Sequence, residues 1–130
     1  MTTLFDRAQS YVGTPYIEGK CDCADLAVKV QAELFGRTIA LPAHHARGRA
    51  TQAAQINRLT GVLARPIEEP VTGAGVLLSG AGLWHIGTVF VHQGDVWVLH
   101  NSAAMGSAAL WRLPMFAQRG LQLEGYYAWL

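Results

Sequence analysis

Apolar positions in the first part of the chain recur at the three-to-four-residue spacing of helices that bury one face. Thr3 is a good N-cap for the first of these stretches, and Gly13 is a typical stop after it. Asp22 and Gly36 bracket the second stretch in the same way. The third stretch is rich in alanine and predicts a weaker helix. The predicted helices cover residues 4–12, 22–35 and about 46–59.

The second half of the chain changes to short apolar runs separated by glycine-bearing turns, a pattern that predicts strands. Residues 61–75, with their prolines and glycines, predict a connecting loop. Strands are predicted over residues 75–78, 84–91, 96–101, 110–113 and 121–130. Helices followed by strands predict one α+β domain over residues 1–130, with N-terminal helices packed on a mostly antiparallel sheet of about five strands.

Composition excludes several classes of function. The chain has 130 residues and a formal net charge of +1, and its basic residues are scattered, so no nucleic-acid partner is expected. No apolar run is long enough for a membrane span, and the N-terminus lacks the plan of a signal peptide. We therefore expect synthesis in the cytoplasm. The two cysteines are one residue apart, too close for an unstrained disulfide, so both are predicted to be free thiols.

Cys23 is the strongest candidate for a chemical role. With Asp22 as N-cap, its thiol lies in the first turn of the second helix, where unpaired backbone N–H groups favour a negative charge. A cysteine at such a position tends to have a lowered pKa and to act as a nucleophile. Asp25 opposes this effect, because it adds a negative charge to the same turn. Cys21 is interpreted as a small buried bystander.

A cysteine nucleophile needs a base, and five histidines are available. A hairpin in which His92 pairs with Asp95 would make His85 and His100 diagonal neighbours on one face of the sheet. A turn of odd length would separate them. Asn101 would point to the opposite face in a regular strand and is the weaker candidate for a third site residue.

These residues, in this order, resemble the NlpC-type cell-wall cysteine peptidases, a bacterial and phage family with a permuted papain-like fold. The resemblance spans about residues 4–101, and its Cys-Asp-Cys form is most similar to phage-tail and prophage members. The matching motifs are Thr14-Pro15-Tyr16, Gly19, Asp22-Cys23-Ala24-Asp25-Leu26, His85-Ile86-Gly87 and Val98-Leu99-His100.

The resemblance implies Cys23 as nucleophile, His85 as general base and His100 as the residue that orients His85. Tyr16 matches a family tyrosine beside the nucleophile. The substrate- and oxyanion-binding candidates are Tyr16, Asp22 and Trp84. The implied reaction is hydrolysis of peptidoglycan stem peptides through a thioester, without a cofactor. The protein would act at the cell wall or periplasm, delivered by a virion tail or a secretion apparatus, with tail proteins or an immunity protein as further partners.

Three alternatives remain open from the residues. The chain could be a phage tail assembly component that keeps the fold with little or no catalysis. It could be an amidase or acyltransferase that uses the same thiol. A zinc site built from Cys21, Cys23, His85 and His100 has suitable ligand types, but its one-residue cysteine spacing is unlike that of known zinc motifs.

Overall fold

The computed structural model describes residues 2–17, 21–39, 64–80 and 83–130. The third predicted helix, His44 and His45 lie outside these residues. The elements, in chain order, are α1 (Leu4–Gln9), α2 (Cys23–Phe35), β1 (Ala64–Ile67), β2 (Gly75–Gly80), β3 (Leu83–His92), β4 (Asp95–Asn101), β5 (Ala108–Arg112), α3 (Pro114–Gln118) and β6 (Gln122–Trp129).

The six strands form one sheet in the order β1-β6-β2-β3-β4-β5, and every pairing between them is antiparallel. The α+β prediction is confirmed, but the predicted strand number of about five is one too low. The missing strand is β1, in the segment predicted as a loop. Pro66 lies in β1, and proline is tolerated there because β1 is an edge strand of the sheet.

Side-chain caps determine where the first two helices begin, as predicted. Thr3 Oγ1 accepts a hydrogen bond from the Asp6 N–H at 3.0 Å, and the Asp6 carboxylate accepts one from the Thr3 N–H at 3.1 Å. Asp22 and Asp25 form the same reciprocal pair at the start of α2. Gly36 ends α2 in the left-handed conformation, with φ of 67°.

The hairpin between β3 and β4 has the predicted register. His92 pairs with Asp95, and the two residues between them, Gln93 and Gly94, have φ values of 52° and 81°. Positive φ at both positions defines a type I′ turn, whose twist matches that of the flanking strands. The even loop length keeps residues 85 and 100 on the same face of the sheet.

The two faces of the sheet carry separate hydrophobic clusters, as alternation along the strands requires. One cluster joins buried residues of α1 and α2 to one face of β3, β4 and β5. It contains Phe5, Ala8, Tyr11, Leu26, Val30, Phe90, Leu99 and Ala108. The other covers the opposite face and includes α3. It contains Ala74, Val76, Leu78, Val89, Val98 and Phe116. The neighbouring residues Val98 and Leu99 thus belong to different clusters.

Gly87 allows β3 and β4 to approach closely beside the histidines. A Cβ atom at this position would clash with Val98 Cγ1 and would lie 3.0 Å from the Leu99 carbonyl oxygen. We expect Gly87→Ala to lower the free energy of unfolding by about 1–3 kcal/mol, because the added methyl group overpacks the sheet. Gly125→Ala is the matched control, since its Cβ would lie at least 3.5 Å from its neighbours. Equal urea midpoints for the two variants would contradict this account.

Candidate active site

The thiol of Cys23 lies at the N-terminus of α2, as its sequence position predicts. Asp22, which is 3% exposed, accepts a hydrogen bond from the Asp25 N–H at 3.0 Å, and the Asp25 carboxylate accepts one from the Asp22 N–H at 3.1 Å. This capping box keeps Cys23 as the first residue of the helix. Both cysteines are free thiols, as expected.

The turn before Cys23 is anchored by Asn101 at the end of β4. Asn101 is fully buried, and its side-chain N–H donates to the carbonyl oxygen of Cys21 at 3.0 Å. Cys21 and Ile17 also exchange two backbone hydrogen bonds, of 2.7 and 3.0 Å. Asn101 thus holds the strand that carries His100 against the turn that carries Cys23. Sequence reasoning considered Asn101 only as a third site residue and missed this role.

The sulfur of Cys23 reaches the sheet one residue from His85. The pairing of β3 with β4 ends at Thr88 and Leu99, and beyond it the Ile86 N–H donates a hydrogen bond to the Cys23 sulfur. The Ile86 side chain packs in a cluster with Val28 of α2. The structure therefore brings the thiol to the backbone segment that carries the predicted base.

Burial raises the pKa of the Cys23 thiol to about 11, which overturns the expectation of a lowered value. Hydrogen bonds from the backbone of Ile86 and of the helix start lower the pKa, but burial outweighs them. The nearby charge that raises the pKa further is the carboxylate of Asp22, whereas the sequence had indicated Asp25. At neutral pH Cys23 is a protonated thiol.

The two histidines selected from the strand register are in direct contact. His85 Nε2 and His100 Nδ1 are 2.8 Å apart, and the two rings are nearly perpendicular, with an interplanar angle of 84°. This is the same-face pair that the hairpin register predicts. Diagonal neighbours on two antiparallel strands are close enough for large side chains to meet. The contact leaves Nδ1 of His85 as the nitrogen that His100 does not engage.

Both histidines are neutral at physiological pH. Burial lowers the pKa of His85 to about 4. Burial, followed by the effect of His85, lowers the pKa of His100 to about 3. Since a neutral imidazole has one bare nitrogen, the pair can accept a proton from a thiol. At rest the site therefore holds a protonated thiol and two neutral imidazoles, rather than a thiolate and an imidazolium.

The three candidates for substrate or oxyanion binding lie in different elements of the structure. Tyr16 is half-buried and its N–H donates to the Gly106 carbonyl at 2.9 Å, so it lies on the segment that is bound to the sheet beside the cysteine turn. The carboxylate of Asp22 caps α2, and its negative charge would repel an oxyanion. Trp84 is half-buried on β3, and strand alternation puts its side chain on the face opposite to His85.

An aromatic environment around His100 was not predicted. The ring centroid of His100 lies 4.5 Å from that of Trp111 in β5 and 4.7 Å from that of Phe116 in α3. Trp111 lies in a segment that was predicted only as a strand, and the five-residue helix α3 is too short to give a periodic signal. Proline at its N-terminus, Pro114, was the available sign of a helix start.

In the part of the chain that the structure describes, no group of three or more histidine, cysteine, aspartate or glutamate side chains is arranged to hold a metal ion. In the same residues, no helix is long and apolar enough to cross a membrane.

Comparisons with known proteins assign no family to the chain. It matches no protein-family model, no curated protein and no solved structure. The residues of this chain and their geometry are therefore the basis for its proposed function.

Proposed function

We propose that this protein is a cysteine peptidase or amidase of the NlpC type, with a permuted papain-like fold, that hydrolyses peptidoglycan stem peptides. The proposal is supported by two observations, the position of the Cys23 thiol against the backbone of Ile86 and the direct contact between His85 and His100. The thiol accepts a hydrogen bond from the backbone next to His85, and the ring of His85 is hydrogen-bonded to His100. Nucleophile, base and orienting residue in this order are the parts that acyl transfer needs.

In the proposed reaction, the sulfur of Cys23 attacks the carbonyl carbon of a substrate amide while its proton moves to Nδ1 of His85. The leaving amine takes that proton as the C–N bond breaks, and a thioester to Cys23 remains. Water then attacks the thioester with His85 again as base, which releases the acid and restores the thiol. Backbone N–H groups at the start of α2 are available to stabilise the oxyanion.

The raised thiol pKa makes His85 necessary in this mechanism. A thiol with a pKa of about 11 is almost fully protonated at neutral pH, so attack requires removal of its proton in the same step. His85, with a pKa of about 4, is almost fully in the basic form under the same conditions. Proton transfer is therefore coupled to nucleophilic attack.

The same raised pKa favours a second candidate, a phage tail assembly component with little or no catalysis. Cysteines buried in apolar surroundings are commonly unreactive. In that case the histidine pair and the capped cysteine would only stabilise the fold. The two candidates differ in one measurable respect, because only the enzyme turns over cell-wall peptides.

Digestion of defined muropeptides tests the proposal. We expect the wild-type protein to cleave an amide bond in the stem peptide, seen by mass spectrometry as two fragments whose summed mass exceeds the substrate by one water. Transfer of the acyl fragment to an added amine would instead identify an acyltransferase. If muropeptides of several wall types remain intact with purified, folded protein, the enzyme proposal fails and the assembly component is favoured.

A further inference from the structure

One ring nitrogen of His100, Nε2, is buried without a polar partner among the described residues. His100 is 2% exposed. The opposite nitrogen, Nδ1, faces His85 Nε2 at 2.8 Å. Buried polar atoms normally form hydrogen bonds. The surroundings of this nitrogen must therefore determine whether it carries a proton or a bare lone pair.

The His100 ring that carries this nitrogen lies between aromatic side chains. Trp111 lies across the ring of His100 at an interplanar angle of 69°, and Phe116 lies at 58°. The two aromatic rings also contact each other, with centroids 5.1 Å apart, so they form one wall of the histidine site. Aromatic faces carry negative charge density, which attracts an N–H and repels a nitrogen lone pair.

This wall distinguishes the two neutral forms of His100. If Nε2 carries the proton, its N–H can point towards an aromatic ring, and Nδ1 is the acceptor for His85. If Nδ1 carries the proton, a bare lone pair at Nε2 is buried in this aromatic environment without a donor among the described residues. The first form avoids the energetic cost of an unsatisfied buried acceptor.

We propose that Trp111 and Phe116 are positioning residues that set the proton positions of the histidine pair. They hold His100 with its proton on Nε2, so Nδ1 of His100 accepts from the Nε2–H of His85. His85 then has its bare lone pair on Nδ1, the form that a general base for Cys23 requires. When His85 takes the thiol proton, its Nε2–H continues to donate to His100, and no proton moves to His100. The catalytic meaning of this inference rests on the proposed function.

Nitrogen NMR of histidine-labelled protein tests the inference without any need for turnover. Long-range proton–nitrogen spectra at pH 7 distinguish protonated from bare ring nitrogens. We expect protonated Nε2 and bare Nδ1 in both His85 and His100. A proton on Nδ1 of His100 in the wild-type protein overturns the inference, whether or not the protein cleaves muropeptides.

Two variants connect the tautomer to the aromatic wall. We expect Phe116→Leu and Trp111→Leu to lower the ratio of the Nε2–H to the Nδ1–H form of His100. The expected decrease is roughly three- to fivefold, because each variant removes about one weak hydrogen bond from the N–H to an aromatic ring. Phe90→Leu is the matched control, because Phe90 is equally buried but belongs to the cluster on the opposite face. The inference is also overturned if neither variant changes the ratio, or if Phe90→Leu changes it as much.

Catalysis provides a separate readout. In Phe116→Leu we expect a lower kcat with an unchanged KM, since the wall contacts His100 and no part of the reacting amide. A fall in kcat together with an unchanged tautomer ratio would count against the inference. Absence of turnover in the wild-type protein would count against the proposed function alone.

Discussion

Cys23→Ala is expected to abolish muropeptide cleavage, with a loss of at least about 10⁴-fold in kcat/KM. The reason is chemical, because alanine offers no nucleophile and the rest of the site cannot form a thioester. Folding should be retained, since the capping box of α2 uses Asp22 and Asp25 rather than the thiol. Circular dichroism and the thermal midpoint provide the check on folding.

Cys21→Ala is the matched control for this result. Its sulfur lies 3.8 Å from the side-chain nitrogen of Asn101, and Asn101 binds the Cys21 backbone carbonyl, which alanine keeps. We expect kcat/KM within about threefold of the wild-type value, because a substitution that removes no reacting group and no hydrogen bond of this turn usually has a small effect. A protein that loses its activity with Cys21→Ala, or keeps it with Cys23→Ala, would contradict the assignment of the nucleophile.

The second large effect is loss of stability in mild acid. His85 and His100 have pKa values of about 4 and 3 in the folded protein, against 6.5 for an ordinary histidine. The unfolded chain therefore binds more protons than the folded chain below pH 6.5, and stability falls as the pH falls. At pH 5 the two histidines together lower the free energy of unfolding by about 4 kcal/mol, because each contributes about 1.4 kcal/mol per pH unit.

Thermal unfolding between pH 7.5 and 4.5 measures this effect. For a chain of this length we expect the midpoint to fall by on the order of 15 °C between pH 7 and pH 5. The control is the double variant His85→Leu/His100→Leu, in which this contribution to the pH dependence is absent and the fall should be much smaller. A wild-type midpoint that is the same at pH 7 and pH 5 would show that the pair is not held neutral by burial.

Local rules were sufficient for the parts of the site that lie close together in sequence. The caps at Thr3 and Asp22 follow from their position before an apolar periodic stretch. The pairing of His85 with His100 followed from a two-residue turn, because its even length fixes which residues share a face. These predictions needed no knowledge of distant contacts.

The features that sequence reasoning missed depend on distant contacts. The strand β1 pairs with β6, and Ala64 is matched with Trp129. A segment with a proline gives no local sign of such a partner. The raised pKa of Cys23 has the same origin, because burial of the thiol in the folded chain outweighs the effect of the helix start that was visible in the sequence. The wall around His100 combines Trp111 of β5 with Phe116 of α3, and this contact has no local sign in the sequence.

Detection of an acyl-enzyme tests the central claim most directly. Wild-type protein mixed with a stem-peptide substrate and quenched in acid should gain the mass of the acyl fragment, and peptide mapping should locate that mass on Cys23. Hydroxylamine should remove it, as it does from a thioester. Cleavage of the substrate with no adduct on Cys23, or with the adduct on another residue, would contradict the mechanism.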